Sequence, residues 1–202
     1  MDGFAARERE GGIRVPNVRP DLTHASAASA WIRRASESDL DAIAALFAPA
    51  LEPYRGKGAD WILDSYLVDL LDVRSRFDVA ETYVAELDGR IVGSVAFYPD
   101  VVLEGWSNLP DGWAGFRALA VDPAARGAGI GRALVDHCIR RAREVAAPVL
   151  GIHTIHLLAD AMRLYERVGF VRCPEYDLRA ADVFPAEGSD DTTGPAFRLD
   201  LA

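Results

Sequence analysis

Residues 116–146 read FRALAVDPAARGAGIGRALVDHCIRRAREVA, and this stretch decides the fold that the rest of the chain completes. It begins as a short apolar run with one charge, which predicts a strand over 116–121. Asp122-Pro123 then ends the run, because proline cannot continue a strand ladder and Asp favours a turn. After the glycines, apolar residues recur at helical spacing, namely Ile130, Leu134, Cys138, Ala142 and Val145. The segment therefore predicts a strand, a glycine loop and a helix.

The glycine loop is suited to binding an anion. The first turn of a helix leaves about four backbone N–H groups unpaired at the positive end of the helix dipole. Glycines remove the Cβ atoms that would keep a phosphate off the backbone. Residues 126–143 hold five arginines and one aspartate, a local charge of +4 in a chain of net charge −9. The alternative is a tight turn followed by a solvated arginine face.

Three phosphate-binding glycine motifs compete for this loop. The dinucleotide pattern G-x-G-x-x-G fails, because Arg132 stands where the third glycine belongs when counting starts at Gly127. The ATP/GTP pattern G-x-x-x-x-G-K-[ST] fails because no Lys-Ser or Lys-Thr pair is present. The pattern that remains is R-x-x-G-x-G directly after a strand.

This pattern resembles the acyl-CoA loop of the GNAT family of N-acetyltransferases, Q/R-x-x-G-x-G/A. Arg126, Gly129 and Gly131 match it position for position. The resemblance implies that the loop holds the CoA pyrophosphate through the stretch Arg126, Gly127, Ala128, Gly129, Ile130, Gly131 and Arg132. It also implies that the pantetheine arm pairs like an added strand with the main chain of Leu119, Ala120 and Val121. Acetyl-CoA is the expected co-substrate.

A second motif, LYERVGF at residues 164–170, resembles the family's L-Y-E-x-x-G-F helix end. In the family this tyrosine lies near the CoA sulfur, so the resemblance implies that Tyr165 protonates the departing thiolate. The alternative is a buried ring with a hydrogen-bonded hydroxyl. The chain departs from the family at Leu158, where many members have an Asn that contacts CoA, so another group must make that contact or it is lost. The resemblance covers about residues 31–173.

The general base for the amine is less well marked by the sequence. Glu81, Glu86, Glu104 and His153 all lie near strands that would face the acceptor. Water is a further alternative, as in many members of the family. Glu104 is our choice among them, with Tyr165 as its catalytic partner. Arg117, a charge inside an apolar strand, either faces the cleft and orients an acceptor carboxylate or lies on a solvated face.

Composition excludes several classes of protein. A charge of −9 and a pI near 4.9 argue against a general nucleic-acid binder and are compatible with a cationic amine acceptor. Two cysteines are too few for a disulfide framework or a zinc cluster, so we expect no metal. The longest apolar runs fall short of the ~18–20 residues of a membrane span. The first residues lack the order of a secretory signal, so we expect a cytoplasmic protein without membrane contact.

The remaining patterns predict one domain behind an arm. Residues 1–30 show little periodicity and are expected to form a flexible arm, or one that clasps a partner. Residues 31–202 are expected to form a single acyl-CoA N-acyltransferase domain. Its first predicted elements are a strand at 31–35, a helix from 40 ended by Pro49 and Pro53, and a helix over 60–77 with Trp61, Leu63, Tyr66, Leu67, Leu70 and Leu71 buried. A hairpin follows with strands 82–87 and 90–97, and the Asp88-Gly89 pair between them favours a type I′ turn. The later elements are a strand at 149–155, a helix over 158–168 that Gly169 ends as its cap, a surface loop at 185–195 and a strand at 197–201.

These elements predict an α/β (α+β) fold, with a mixed, mostly antiparallel central sheet flanked by helices. Within the second helix, Trp61 and Tyr66 either line the acceptor pocket or pack in the core, with core packing favoured. The predicted function is direct transfer of an acetyl group from acetyl-CoA to an amine of a small molecule, peptide or protein. A noncatalytic acyl-CoA sensor and an interaction protein on the same fold are the alternatives. A homodimer is compatible with the sequence.

Overall fold

A mixed sheet forms the centre of the protein in the computed structural model, which describes residues 13–15, 30–57, 60–183 and 193–201. The strands are β1 Ile13–Val15, β2 Ala30–Arg34, β3 Glu81–Leu87, β4 Arg90–Tyr98, β5 Ala114–Val121, β6 Val149–His153, β7 Val171–Arg172, β8 Leu178–Arg179, β9 Thr193–Gly194 and β10 Ala196–Asp200. Eight of them form this sheet in the order β1-β2-β3-β4-β5-β6-β10-β7, and β8 pairs with β9 in a separate ribbon. Only the β5–β6 pairing is parallel among these strands, which confirms the predicted mostly antiparallel sheet.

Helices cover both faces of the sheet. They are α1 Leu40–Leu51, α2 Asp60–Leu71, α3 Val73–Val79, α4 Ile130–Glu144, α5 Ala159–Val168 and α6 Ala180–Val183. Successive residues of a strand point to opposite faces, and β3 shows the division. Tyr83 and Ala85 join the hydrophobic cluster that contains α4 and α5, whereas Val84 joins the cluster that contains α1, α2 and α3.

Local sequence signals correctly located several element boundaries. Asp88 and Gly89 have φ angles of 50° and 77°, so the β3–β4 hairpin has the positive-φ pair of the predicted type I′ turn. At the end of α5, Gly169 is left-handed, with φ of 108°. The N–H groups of Gly169 and Phe170 both donate to Tyr165 O, as expected for a glycine C-cap.

Two predictions about the helices are wrong. The predicted helix over 60–77 is divided at Asp72, whose carboxylate accepts a hydrogen bond from Ser75 N–H and thereby starts α3. The buried face of α2 also differs from the prediction, because Ile62 is buried and Leu71 is 49% exposed. Pro49 does not end α1, which continues to Leu51. A proline in the last turn removes only one helical hydrogen bond, and burial of Leu51 holds that turn in place.

Part of the predicted N-terminal arm belongs to the sheet, because Ile13–Val15 pairs antiparallel with β2. The rest of the arm and most of the predicted loop at 185–195 lie outside the described residues. Among the helices that the structure describes, none combines the length and apolar character needed to cross a membrane. Likewise, within the described ranges no three His, Cys, Asp or Glu side chains are grouped so that they could hold a metal ion.

Candidate active site

The sheet opens between β5 and β6. Their parallel pairing is limited to Ala114 with Leu150 and Gly115 with Gly151. Further along β5, Ala118 has a φ of 54°, and the pairing with β4 shifts register in the same stretch. A bulge of this kind bends a strand and redirects its main chain. On the side that faces β6, the second half of β5 therefore borders a cleft, while its other side remains paired with β4.

The main chain that was expected to pair with pantetheine lies at this opening. Leu119, Ala120 and Val121 line a cavity of about 80 Å³ together with side chains from α1, α2 and α5. Leu158, which replaces the Asn of the family pattern, lines the same cavity. A ligand in this cavity would therefore meet an apolar side chain at position 158.

Glycines shape the loop between β5 and α4. Gly127 and Gly129 both have φ of 79°, a left-handed conformation that glycine adopts without steric cost. A Cβ on Gly129 would meet no atom within 4 Å, whereas a Cβ on Gly131 would contact Leu164 at 3.5 Å and Val121 at 3.6 Å. Gly129 is thus the position at which a ligand can approach the backbone, and Gly131 supports packing of the helix.

The first turn of α4 provides hydrogen-bond donors for an anion. Ala133 N–H donates to Gly129 O at 3.0 Å. The preceding N–H groups, of Ile130, Gly131 and Arg132, therefore have no acceptor within the helix. They lie at the positive end of the helix dipole and line a groove of about 510 Å³ between the loop and α5. The groove is large enough for an extended phosphate-bearing ligand.

The arginines around the groove are only partly those that the sequence indicated. Of the five between 126 and 143, only Arg126 and Arg132 line the groove. Arg140 and Arg141 lie at the other end of α4, where both pair with Glu144. The local charge of +4 therefore overstated the positive potential that the loop itself contributes.

Two arginines of α5 line the groove and were missed by the sequence analysis. Arg163 and Arg167 stand four residues apart, so they share one helix face toward the groove. Asp160 accepts hydrogen bonds from Arg163 and, at 3.0 Å, from the hydroxyl of Tyr54. The 163/167 spacing beside the tyrosine motif was the signal that could have revealed this second basic wall.

Three neighbouring cavities share lining residues. The groove shares Leu119, Val121 and Arg126 with the 80 Å³ cavity, which in turn shares Tyr66 with a third cavity of about 50 Å³. Tyr66 therefore stands at a junction in the cleft, while Trp61 packs against the core around α1 and α2. Tyr66 packs against the same core as Trp61, which agrees with the favoured core packing, and it also lines two of the cavities.

Tyr165 lies in the aromatic core beside this cleft. Its ring is 5% exposed and packs at centroid distances of 5.8 Å from Phe116, 5.9 Å from Phe170 and 6.1 Å from Phe197. Burial raises the pKa of its hydroxyl above the ordinary value, so the group carries its proton at neutral pH. Tyr165 lines none of the three cavities.

Glu104 ends a short 3₁₀ segment, Val101–Glu104, that precedes β5. Its carboxylate lies against the strand at Gly115, where a Cβ would come within 2.9 Å of Oε1. Burial raises the pKa of Glu104 to about 7, while the positive charge of Arg117 lowers it and the negative charge of Asp69 raises it. A carboxyl group with this pKa is suited to exchanging protons near neutral pH.

The other acidic candidates are held in ion pairs outside the three cavities. Glu81 accepts from Arg141 at 2.8 and 2.9 Å and from the hydroxyl of Tyr83 at 2.6 Å. Glu86 accepts from Arg33 Nε at 3.0 Å. Hydrogen bonding to Arg141 lowers the pKa of Glu81, which makes it a weaker base. Glu104 likewise lines none of the three cavities, and its raised pKa is what distinguishes it from Glu81. Of the four candidate bases, His153 lines a cavity.

Arg117 and His153 both line the 50 Å³ cavity. The Arg117 side chain is 10% exposed and donates to Asp69, so it faces the cleft and not a solvated surface. Trp106 lies over its guanidinium, with the ring centroid 4.8 Å from Cζ. This cavity is partly open, apolar on most sides and polar at a few positions, as expected for a small-molecule pocket.

Comparisons with known proteins agree with this geometry. The model of the Acetyltransferase (GNAT) family matches residues 40–170. The amino-acid acetyltransferase of Mycobacterium tuberculosis (strain ATCC 25618 / H37Rv) is 33% identical over 171 residues, which cover 85% of this chain and 84% of that protein. A mycothiol acetyltransferase of Thermomonospora curvata is 33% identical over 109 residues, which cover 51% of this chain and 33% of that protein.

Solved structures show the same architecture. The crystal structure of a ribosomal-protein-alanine N-acetyltransferase from Brucella melitensis aligns with a TM-score of 0.57 and 25% identity. The alignment covers 84% of this chain and 99% of that one. The described sheet and helices therefore match those of that structure along nearly its whole length.

Proposed function

The chain belongs to the acetyltransferase (GNAT) family and is a CoA-dependent acetyltransferase that acts on an amine, and from this premise we propose that its cleft transfers the acetyl group directly to a small polar acceptor. The observation that carries the proposal is the series of neighbouring cavities from the glycine loop to the pocket lined by Arg117 and His153. A pocket of about 50 Å³ accepts a group of a few atoms, which is the size of an end group of a small molecule. Because one relative is named an amino-acid acetyltransferase, amino acids are the first acceptors to test.

The residues of the groove fit the phosphates of acetyl-CoA. The free N–H groups of Ile130, Gly131 and Arg132 would hold the pyrophosphate, with the open side of Gly129 allowing its approach. The arginine side chains from both walls would offset its negative charge. The main chain of Leu119–Val121 would bind the pantetheine arm along the opening between β5 and β6. Acetyl-CoA, when bound, supplies the thioester that reacts.

Glu104 would remove a proton from the acceptor. Simple amines are mostly protonated at neutral pH and must become neutral before they attack a carbonyl. A carboxylate whose pKa is about 7 accepts a proton far more readily than one at its ordinary value of 4.5. Glu104 lies against Gly115, in the part of β5 that pairs with β6, and its raised pKa is the observation that supports this role.

Tyr165 would supply the proton that the thiolate needs. Its hydroxyl carries a proton at neutral pH, but the burial that raises its pKa also makes it a weaker acid. Its ring lines none of the three cavities, so this role rests on the LYERVGF motif. A main-chain N–H near Leu119 would stabilise the oxygen of the thioester as charge develops there. Holding acceptor and thioester together in one cleft contributes the larger part of the rate enhancement, several kcal/mol by analogy with intramolecular reactions.

Thiol release from acetyl-CoA tests this proposal. The purified protein is mixed with acetyl-CoA and a panel of small amines and amino acids, and free CoA is followed with a thiol reagent. We expect amine-dependent release that falls by roughly 100-fold in Glu104→Gln, the typical effect of removing a general base. Acetyl-CoA binding without release from any amine would support the sensor alternative and contradict the proposal.

A further inference from the structure

Side chains that line the 50 Å³ cavity carry a cluster of buried polar atoms without hydrogen-bond partners. Across the part of the chain that the structure describes, four buried side-chain polar atoms lack a partner. Three of them, Arg117 Nε, Trp106 Nε1 and His153 Nδ1, belong to side chains that line the same 50 Å³ cavity. A buried polar group left unpaired is destabilising, because it has lost its hydrogen bonds to water and gained none in the protein. Three such groups around one cavity point to a ligand that satisfies them.

Two of the three atoms can only donate. Arg117 uses its Nη2 for Asp69, which leaves the Nε–H group unpaired. The indole N–H of Trp106 is a donor without acceptor capacity. The Trp106 ring lies over the guanidinium at 4.8 Å, so both donors belong to one packed pair of side chains.

The third atom, His153 Nδ1, is an acceptor. His153 Nε2 lies 3.0 Å from the main-chain oxygen of Tyr176, which can only accept, so Nε2 carries the proton. Burial lowers the pKa of His153, which keeps the ring neutral at physiological pH. The lone pair of Nδ1 is therefore free to accept a hydrogen bond, and the ring centroid lies 5.6 Å from that of Trp106.

This pattern of two donors and one acceptor distinguishes between ligand groups. A carboxylate would satisfy the donors, but it has no proton for His153 Nδ1 and would place negative charge beside that lone pair. The charge of Arg117 is already offset by Asp69, which reduces its demand for an anion. A hydroxyl or a primary carboxamide accepts two hydrogen bonds and donates at least one. The cavity holds about three to five water-sized groups, enough for such an end group.

We propose that Arg117, Trp106 and His153 form a specificity subsite for a neutral group that accepts two hydrogen bonds and donates one. The acceptor amine then carries a hydroxyl or a primary carboxamide, and this end group anchors it in the cleft. Identifying the ligand as the acceptor rests on the proposed function. The hydrogen-bond pattern of the subsite does not, and it replaces the expectation that Arg117 orients a carboxylate.

Binding of small probes to the protein tests the subsite without any need for activity. The indole N–H signal of Trp106, assigned by its loss in Trp106→Phe, is followed by NMR during titration with acetamide, isopropanol or acetate. We expect saturable shifts with acetamide or isopropanol and none with acetate at equal concentration. Saturation by acetate alone would overturn the proposal, and no saturable shift with any probe would show that the cavity holds ordered water only.

Matched variants connect the shift to His153. His153→Leu removes the acceptor and should abolish saturation by the neutral probes. His156→Leu changes an exposed histidine of the same segment and should leave the titration as in the wild type. Equal titration curves for the two variants would remove His153 from the subsite.

Acceptor kinetics then test whether the subsite selects the acceptor. Thiol release is compared for 4-aminobutanamide, 4-aminobutan-1-ol and 4-aminobutanoate. We expect kcat/KM for the neutral amines to exceed that for the carboxylate roughly tenfold or more, with His153→Leu raising KM and leaving kcat largely unchanged. A preference for the carboxylate would overturn the subsite. Absence of release with every amine, beside saturable probe shifts, would instead contradict the proposed function alone.

Discussion

Replacing Glu104 by Gln should stabilise the protein at alkaline pH while lowering its activity. The substitution keeps the size of the side chain and removes its charge. Burial against β5 raises the pKa of Glu104 to about 7, compared with 4.5 for an unperturbed glutamate. At about 1.36 kcal/mol for each pKa unit, the difference corresponds to about 3 kcal/mol of folding free energy.

The direction in which the free energy of unfolding changes with pH follows from proton linkage. The folded protein holds the proton on Glu104 more tightly than the unfolded chain does, because its folded pKa is the higher of the two. The free energy of unfolding is therefore greatest below the unfolded pKa and falls as pH rises from about 4.5 to about 7. Glu104→Gln carries no titrating group at this position and escapes that loss.

Urea unfolding of wild type and Glu104→Gln at pH 4.5 and pH 8.5 measures the difference. We expect similar stabilities at the lower pH and an advantage of about 3 kcal/mol for the variant at the higher pH. Glu175→Gln, in the exposed 3₁₀ turn Pro174–Tyr176, is the control and should follow the wild type at both values. Parallel pH profiles for wild type and Glu104→Gln would refute the raised pKa and with it the physical basis for choosing this base.

Three further predictions concern the loop, the acid and the acid stability of the fold. Gly129→Glu should abolish acetyl-CoA affinity, measured by calorimetry, because it strains a left-handed position and puts negative charge in the groove. The control, Gly112→Glu, changes another open left-handed glycine and should keep the affinity of the wild type. Tyr165→Phe should lower kcat with little change in acetyl-CoA affinity, and a wild-type rate would end the proposed acid role. Burial lowers the pKa of His137 to about 4, so wild-type stability should fall by about 3 kcal/mol as pH drops from 6.5 to 4. Urea unfolding of His137→Leu should lack that loss, and an unchanged pH dependence would contradict it.

The sequence predicted those parts of the fold that depend on local signals. Helical periodicity located α4, and the Asp88-Gly89 pair located the hairpin, because both act over a few residues. The glycine loop was also predictable, since left-handed glycines before a helix form a recognisable pattern. The division of the helix at Asp72 was missed, although the Asp72 cap that starts α3 is itself a local signal.

The cleft itself depends on contacts between distant parts of the chain. The separation of β5 from β6 follows from pairing that stops after Gly115, which no local pattern indicates. Glu104 was a candidate from its position near a strand, but its raised pKa arises only when the 3₁₀ segment packs against β5. In the same way, Arg117 could be recognised as unusual in a strand, whereas its partners Asp69 and Trp106 come from other elements.

A calorimetric titration of the purified protein with acetyl-CoA tests the central claim most directly. If the glycine loop and the opening between β5 and β6 hold the co-substrate, we expect saturable binding in the micromolar range that weakens as salt concentration rises, because charge contacts contribute. The absence of binding under conditions where the protein is folded would contradict the account, and the loop would then be only a turn between a strand and a helix.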